Sequence, residues 1–292
     1  MKILEGLGVA LATPFNGDKS IDFNGLGKLL KHTKGVDYWV LMGSTGESVT
    51  LSTMEQMEIL HFVSKNNPNN LPIVLGVGSN NTNEVINRLK DFDLSLVTAI
   101  LSSSPAYNKP TQDGIIQHFE AIAESSTKPI ILYNVPGRTA SNITASTTIT
   151  LSKHPNIIGI KEASGDLFQI MKIISSVPDD FMVISGDDLL TPAIISIGGK
   201  GLISVLANAL PNELKEMITS GLNEDFKSTR EQTFKLLELN SLMYEEGNPT
   251  GIKELLNQLT ICNNTVRLPL VSASKELSLK INKALKNKGN QN

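Results

Sequence analysis

Cysteine is almost absent from this 292-residue chain. Cys262 stands alone, so no disulfide can form within it and a cysteine-based zinc site is excluded. The four histidines, His32, His61, His118 and His154, lie far apart and show no metal-ligand spacing. An excess of charge of one sign is missing too: 26 basic against 29 acidic side chains leave a net charge of -3, with no basic block. That balance argues against nucleic acid as a partner. The longest charge-free, largely apolar piece, Leu189 to Gly199, contains Thr191 and Pro192 and is too short to span a membrane. Glu5 interrupts any apolar leader core after Met1, so the chain reads as cytoplasmic, with no membrane partner. Aromatic residues make up only 5%, yet 40% of the chain is hydrophobic, and its length is ample for a large core without covalent staples.

What is present is a rhythm. Short apolar runs recur at Gly8–Ala12, Tyr38–Leu41, Pro72–Gly76, Val97–Leu101, Pro129–Tyr133, Ile157–Lys161, Phe181–Ser185 and Gly201–Val205. Nearly continuous apolar strands, without alternation, suit a sheet buried on both faces. Helical patterns fill the gaps. Ser52-Thr53-Met54-Glu55 is a capping box, Thr111 can cap the helix through Phe119, and Thr144 or Ser146 can open the one reaching Leu151. Eight such units predict an α/β fold, a closed TIM (β/α)₈ barrel. A doubly wound sheet is the structural rival, but the first strand is followed by Thr13-Pro14 and not by a glycine-rich dinucleotide turn. From about Asn212 only amphipathic helix follows, with examples at Glu231–Met243, Gly251–Leu259 and Ser274–Lys286. This predicts a barrel over residues 1–211 and a C-terminal helical extension over residues 212–292 packed on it. The polar stretch Asn287–Asn292 reads as a frayed tail.

In such barrels the chemistry sits at the C-terminal strand ends. The second strand runs into Gly43-Ser44-Thr45-Gly46-Glu47-Ser48, a tight turn whose backbone N–H groups can converge on a carboxylate. Taken alone, it reads first as an ordinary Gly/Ser turn. The fourth leads into Pro105-Ala106-Tyr107-Asn108-Lys109-Pro110, a proline-bracketed loop displaying Tyr107. On the fifth, Tyr133 shares parity with Ile131, which turns its hydroxyl into the barrel mouth. Arg138 follows and could take a carboxylate bidentately, although a surface ion pair is the commoner fate of an arginine. The sixth strand, Ile157-Ile158-Gly159-Ile160-Lys161, closes on a lysine that should rise over a glycine-sized space beside Tyr133. Burying an ammonium is unfavourable, which favours the free amine and makes Lys161 a candidate nucleophile. A snorkelling rim lysine is the plain alternative.

Taken together, Gly43-Ser44-Thr45-Gly46-Glu47, Tyr133-Asn134-Val135-Pro136 and Gly159-Ile160-Lys161-Glu162-Ala163 resemble the pyruvate-dependent class I aldolases of the dihydrodipicolinate synthase and N-acetylneuraminate lyase superfamily. The resemblance runs from Gly6 to about Ala284. The loops around Tyr107 and Arg138, with Arg267-Leu268-Pro269-Leu270, resemble the dihydrodipicolinate synthase branch most. It implies a lyase of lysine and diaminopimelate biosynthesis acting on pyruvate and L-aspartate 4-semialdehyde through a Lys161 Schiff base, with no metal or organic cofactor. It further implies that Ser44, Tyr107 and Tyr133 relay protons and that Thr45 and Ser44 hold the pyruvate carboxylate. Arg138 would hold the semialdehyde carboxylate, with Gly186 and the carbonyl of Ile203 close by. The same resemblance implies a homotetramer, a dimer of dimers in which Tyr107 reaches across the tight dimer.

Ser44 stands where many synthases carry threonine, and the hydroxyl is kept. The branch's lysine feedback site resembles Ser48, Asn80 and Glu84 here. Its two histidines and its tyrosine are replaced by Thr53, Gln56 and Ala106, which implies weak or absent lysine inhibition. Three rivals stand beside this reading: an N-acetylneuraminate lyase or keto-deoxy sugar acid aldolase, a non-catalytic binding barrel, and a phosphate site at Gly198-Gly199-Lys200-Gly201. The last precedes the eighth strand and so belongs at the wrong barrel end.

Overall fold

The computed structural model describes residues 4–67 and 69–289. Eight strands, β1 (Gly6–Ala10), β2 (Tyr38–Leu41), β3 (Ile73–Gly76), β4 (Ala99–Ser103), β5 (Ile130–Asn134), β6 (Ile157–Glu162), β7 (Met182–Ser185) and β8 (Gly201–Ser204), close in chain order into one barrel. All neighbours pair in parallel. The helices between them are α1 (Phe23–His32), α2 (Thr53–Lys65), α3 (Thr82–Asp91), α4 (Gln112–Ser125), α5 (Pro136–Thr139), α6 (Ala145–Leu151), α7 (Leu167–Ile174) and α8 (Thr191–Ser196). After β8 come α9 (Pro211–Leu222), α10 (Phe226–Glu245), α11 (Thr250–Gln258) and α12 (Lys275–Gly289). The expected (β/α)₈ barrel with a helical extension is what the chain forms. No helix among the described residues is long and apolar enough to cross a membrane.

The strand composition follows from two buried faces. Tyr38 and Val40 point into the barrel with Val74, Leu101, Ile131 and Ile203, while Trp39 and Leu41 point outward to the helices. Gly8 makes room inside, since a Cβ there would stand 2.3 Å from the Tyr38 ring. Helix starts follow local chemistry. Ser52 and Glu55 form the capping box of α2, and the Thr111 and Thr144 hydroxyls accept from Gly114 and Thr147 N–H at the starts of α4 and α6.

Several boundaries differ from expectation. β1 begins and ends two residues earlier and β4 two later, because apolar Leu11 and Ala12 stay buried beyond the ladder and Val97 is buried before it. In β6 the pairing passes from Ile130–Ile157 directly to Ile131–Gly159, so Ile158 is an extra residue and the strand is bulged there. α9 packs against β1 and β8 as the eighth barrel helix. We therefore start the appended helical region at α10 and not at residue 212. α12 stays helical through Gly289, past the expected onset of fraying at Asn287, with the Lys288 ammonium on the Glu213 carboxylate. Residues 290–292 of that tail lie outside the described residues. The run Gly198–Gly201 sits at the end of the barrel where β1 begins, and the Gly6 N–H donates to the Lys200 carbonyl at 2.9 Å. It is the end remote from the strand C-termini.

Candidate active site

The ends of β5 and β6 create the centre of the site. Beyond the bulge at Ile158, Tyr133 pairs directly with Lys161, two register steps above Ile131 and Gly159 and so on the same face. Both side chains enter the barrel mouth. Lys161 is only 5% exposed, and its Nζ lies 4.4 Å from the centroid of the Tyr133 ring. An amine in that setting is held by an aromatic face and shielded from bulk water. Gly186, at the end of β7, supplies the space: a Cβ there would come 3.0 Å from Lys161 Cε and 2.7 Å from Ala163 Cβ.

Lys161 and Tyr133 open into a cavity of about 490 Å³ that Ser44, Thr45, Arg138 and Gly186 also line. An adjoining cavity of about 390 Å³ shares Ser44, Tyr133 and Arg138 and extends to Ser48 and Ala106. The turn after β2 is closed by Gly46 N–H on the Gly43 carbonyl at 3.1 Å and Glu47 N–H on the Ser44 carbonyl at 3.2 Å. The Thr45 hydroxyl accepts from the Asn248 amide at 3.1 Å, which leaves its own proton for a ligand. Arg138, on the short α5, donates to the Asn248 carbonyl at 3.1 Å and otherwise stands exposed at the rim.

Two buried carboxyl groups frame the strand ends. Burial pushes Asp188 up to about 6; the Ser204 hydroxyl and then the Val205 N–H oppose the shift, as does the nearby Lys161 charge. Glu162 pairs in register with Asn134, one step beyond Lys161 and Tyr133. Its carboxylate accepts from Asn134 Nδ2 at 3.1 Å, Ser164 N–H at 2.8 Å and Gln169 Nε2 at 3.0 Å. Burial raises its pKa, and these donors pull it back. Because the donors lie on β5, the following loop and α7, the carboxylate clamps together the two strand ends that carry Lys161 and Tyr133.

The remaining candidates are placed differently. Ile203 is fully buried in the barrel interior, opposite Gly8. Tyr107 is 89% exposed, with φ at 72°, and does not line either cavity. Asn80 and Glu84 are exposed and away from both cavities, whereas Ser48 lines the second. Other lining residues were not singled out from sequence: Asp187, Asn240, Tyr244 and Asn248. Burial, and then the charges of Asp188 and Asp187, pushes the Tyr244 hydroxyl above the usual tyrosine range. The amide oxygens of Asn240 and Asn248 are buried without a partner among the described residues. All but Asp187 lie beyond the barrel strands, where no strand-end rule marks them. No group of three His, Cys, Asp or Glu side chains among the described residues could hold a metal ion.

The sequence pattern of the Dihydrodipicolinate synthetase family matches residues 3–288. The chain belongs to that family. A 4-hydroxy-tetrahydrodipicolinate synthase from Cytophaga hutchinsonii is 47% identical over 286 residues, which cover 97% of this chain and 96% of that one. Among solved structures, dihydrodipicolinate synthase from Aquifex aeolicus matches with a TM-score of 0.94 and 35% identity, covering 98% of both chains. A monomeric dihydrodipicolinate synthase variant matches with a TM-score of 0.95 and 32% identity, covering 98% of this chain and 97% of that one. The family's barrel is therefore the frame in which Lys161 and Tyr133 meet.

Gly186→Ala tests the space beneath the lysine. Its Cβ should displace Lys161 and slow borohydride trapping of pyruvate on that residue by about tenfold or more. Trapping at the wild-type rate would show that the amine needs no such clearance.

Proposed function

We propose that the chain condenses pyruvate with L-aspartate 4-semialdehyde to give (4S)-4-hydroxy-2,3,4,5-tetrahydrodipicolinate, as a Schiff-base-forming lyase of the class I aldolase type. The observation that carries this reading is the Lys161 amine. It is buried at a strand end, 4.4 Å from the Tyr133 ring, in a cavity whose rim bears Arg138. The product belongs to lysine and diaminopimelate biosynthesis, and we assign the reaction to the cytoplasm.

The Lys161 amine adds to the pyruvate ketone, and loss of water gives a protonated imine. The iminium nitrogen accepts the electron pair released when a proton leaves the pyruvate methyl carbon, and an enamine results. The chemistry therefore requires no metal or organic cofactor. The enamine carbon bonds to the aldehyde carbon of the second substrate, whose oxygen takes a proton and becomes the 4-hydroxyl. The substrate's amino group then attacks the imine carbon, closes the ring and releases the Lys161 amine.

Tyr133 serves as general acid and base at the imine, with Ser44 and Tyr107 completing the proton relay. The amides of Ser44 and Thr45, with the Thr45 hydroxyl, hold the pyruvate carboxylate. Arg138 holds the semialdehyde carboxylate, Gly186 leaves room for the lysine stem, and the Ile203 carbonyl faces the reacting centre. A neutral amino sugar would give Arg138 nothing to bind, which is why an acidic aldehyde suits this rim better.

Tyr107 is displayed away from its own cavity, so its place in the relay requires a second copy. We assign the active species as a dimer that shares Tyr107 across the tight interface, two dimers forming a tetramer. The barrel carries the chemistry, and the helical region completes the mouth through Asn248 and Tyr244. At the feedback position Gln56 is already engaged: its amide donates to the Ser48 carbonyl at 2.9 Å and accepts from Arg88 at 2.7 Å. Ala106 lines the same cavity as Ser48 and brings no polar group to bind free lysine there.

Turnover of pyruvate is expected with L-aspartate 4-semialdehyde and not with N-acetylmannosamine. Lys161→Ala should abolish it, and Arg138→Ala should lower kcat/KM for the semialdehyde by about 100-fold. Turnover with the amino sugar instead would overturn the assignment of Arg138. Mixing Tyr107→Phe with Lys161→Ala subunits should rebuild one complete site per hybrid dimer and restore part of the activity. No recovery in verified hybrids would argue against a shared site. In an inhibition titration, low-millimolar lysine should leave the rate nearly unchanged; strong suppression would mean that Ser48, Asn80 and Glu84 suffice.

A further inference from the structure

The turn that carries Ser44 and Thr45 ends on Glu47, whose backbone is left-handed (φ 53°) although the residue has a Cβ. Three side chains from distant parts of the chain tie this turn down. The Thr13 hydroxyl donates to the Gly46 carbonyl at 2.7 Å, and Asn248 donates to the Thr45 hydroxyl at 3.1 Å. The third tie is an ion pair between Glu47 and Lys253 of α11, with side chains 2% and 0% exposed.

Every proton of the Lys253 ammonium has somewhere to go. It donates to Glu47 Oε1 and, at 2.9 Å, to the Thr265 carbonyl, and it stands 4.0 Å from the centroid of the Phe15 ring. The second carboxylate oxygen accepts from the Arg267 N–H at 3.0 Å. Arg267 places its guanidinium 4.5 Å from the same ring and pairs with Glu55 at 2.5 Å. Burial pulls the ammonium below the ordinary lysine range, and the Glu47 charge pulls it back. Buried ion pairs return little net stability but fix geometry, since any displacement leaves a charge unpaired in a medium that cannot solvate it.

We propose that the Glu47–Lys253 pair is a positioning device for the carboxylate-holding turn, through which α11 sets where Ser44 and Thr45 present their donors to the keto acid. This rests on the reading of that turn as the pyruvate carboxylate site. Neither residue touches the reacting atoms; both are positioning residues. Their loss acts on capture of pyruvate and spares the steps that follow at saturation.

The test is borohydride trapping on Lys161 across a range of pyruvate concentrations, with a thermal melt of each variant. Glu47→Gln combined with Lys253→Met removes both charges, keeps a carbonyl for the Arg267 N–H and keeps the lysine stem's bulk beside Phe15. Glu47→Asp keeps both charges and retracts the carboxylate by one methylene, so it serves even where the double variant does not fold. In either folded variant the half-saturating pyruvate concentration is expected to rise about tenfold, with the saturated trapping rate within about threefold of wild type. A variant that melts like the wild type and half-saturates at the same pyruvate concentration overturns the proposal alone. A wild-type chain that traps no pyruvate overturns the underlying reading and the proposal with it.

Discussion

Pairing of β5 with β6 places Tyr133 opposite Lys161, and the rest of the site is arranged around that register. A closed parallel barrel offers one region where a polar side chain can be both buried and reachable, the C-terminal rim. Below it the interior is filled by buried Tyr38, Val40, Leu101 and Ile131. Above it Arg138 and Tyr244 stand at the mouth. The bulge at Ile158 adds a residue to β6 before the functional pair, so the register that matters starts at Gly159. The clamp of Glu162 by Asn134, Ser164 and Gln169 then secures that register one step outside the site.

Three buried carboxyl groups near the strand ends are accommodated by three different chemistries. Asp188 is shifted toward its neutral form and takes hydrogen bonds from Ser204 and Val205. Glu162 is surrounded by amide donors on the outer face of the barrel. Glu47 is matched by a full cation, Lys253, with an aromatic ring and a carbonyl completing the shell. Their positions follow the strand ends after β7, β6 and β2. All three partnered carboxylates thus lie at the end of the barrel that carries Lys161 and Tyr133.

The barrel was readable because its strands are short, nearly continuous apolar runs separated by helical periods, a pattern that only a sheet covered on both faces imposes. That Lys161 and Tyr133 point into the barrel was readable from parity, since residues two apart share a face, whereas the roles expected of them came from the family resemblance. That argument survived the bulge because Gly159 and Lys161 both lie beyond it; counting from Ile157 would have turned the lysine outward. Asn240, Tyr244 and Asn248 were not legible. They sit on helices and a turn whose sequence reports only amphipathicity, and their role depends on how those helices pack across the rim. Glu47 and Asn134 stood inside quoted motifs, but nothing local showed that their partners would be Lys253 and Glu162. The packing of α9 on β1 and β8 was hidden for the same reason: a helix that covers the barrel has the same periodicity as one appended outside.

The separation in sequence between Glu47 and Lys253 has a consequence for the chain during its synthesis. All eight strands lie before residue 205, so the barrel can close while the last third of the polypeptide is still being made. The turn that presents Ser44 and Thr45 still lacks Asn248, Lys253 and Arg267 at that stage, and Glu47 is an unmatched charge. A nascent chain with a finished sheet therefore still lacks the side chains that tie this turn down. The Glu47 carboxylate meets its cation only when the segment ending near Arg267 has left the ribosome, so on the role proposed for this turn the last third of the chain completes the site.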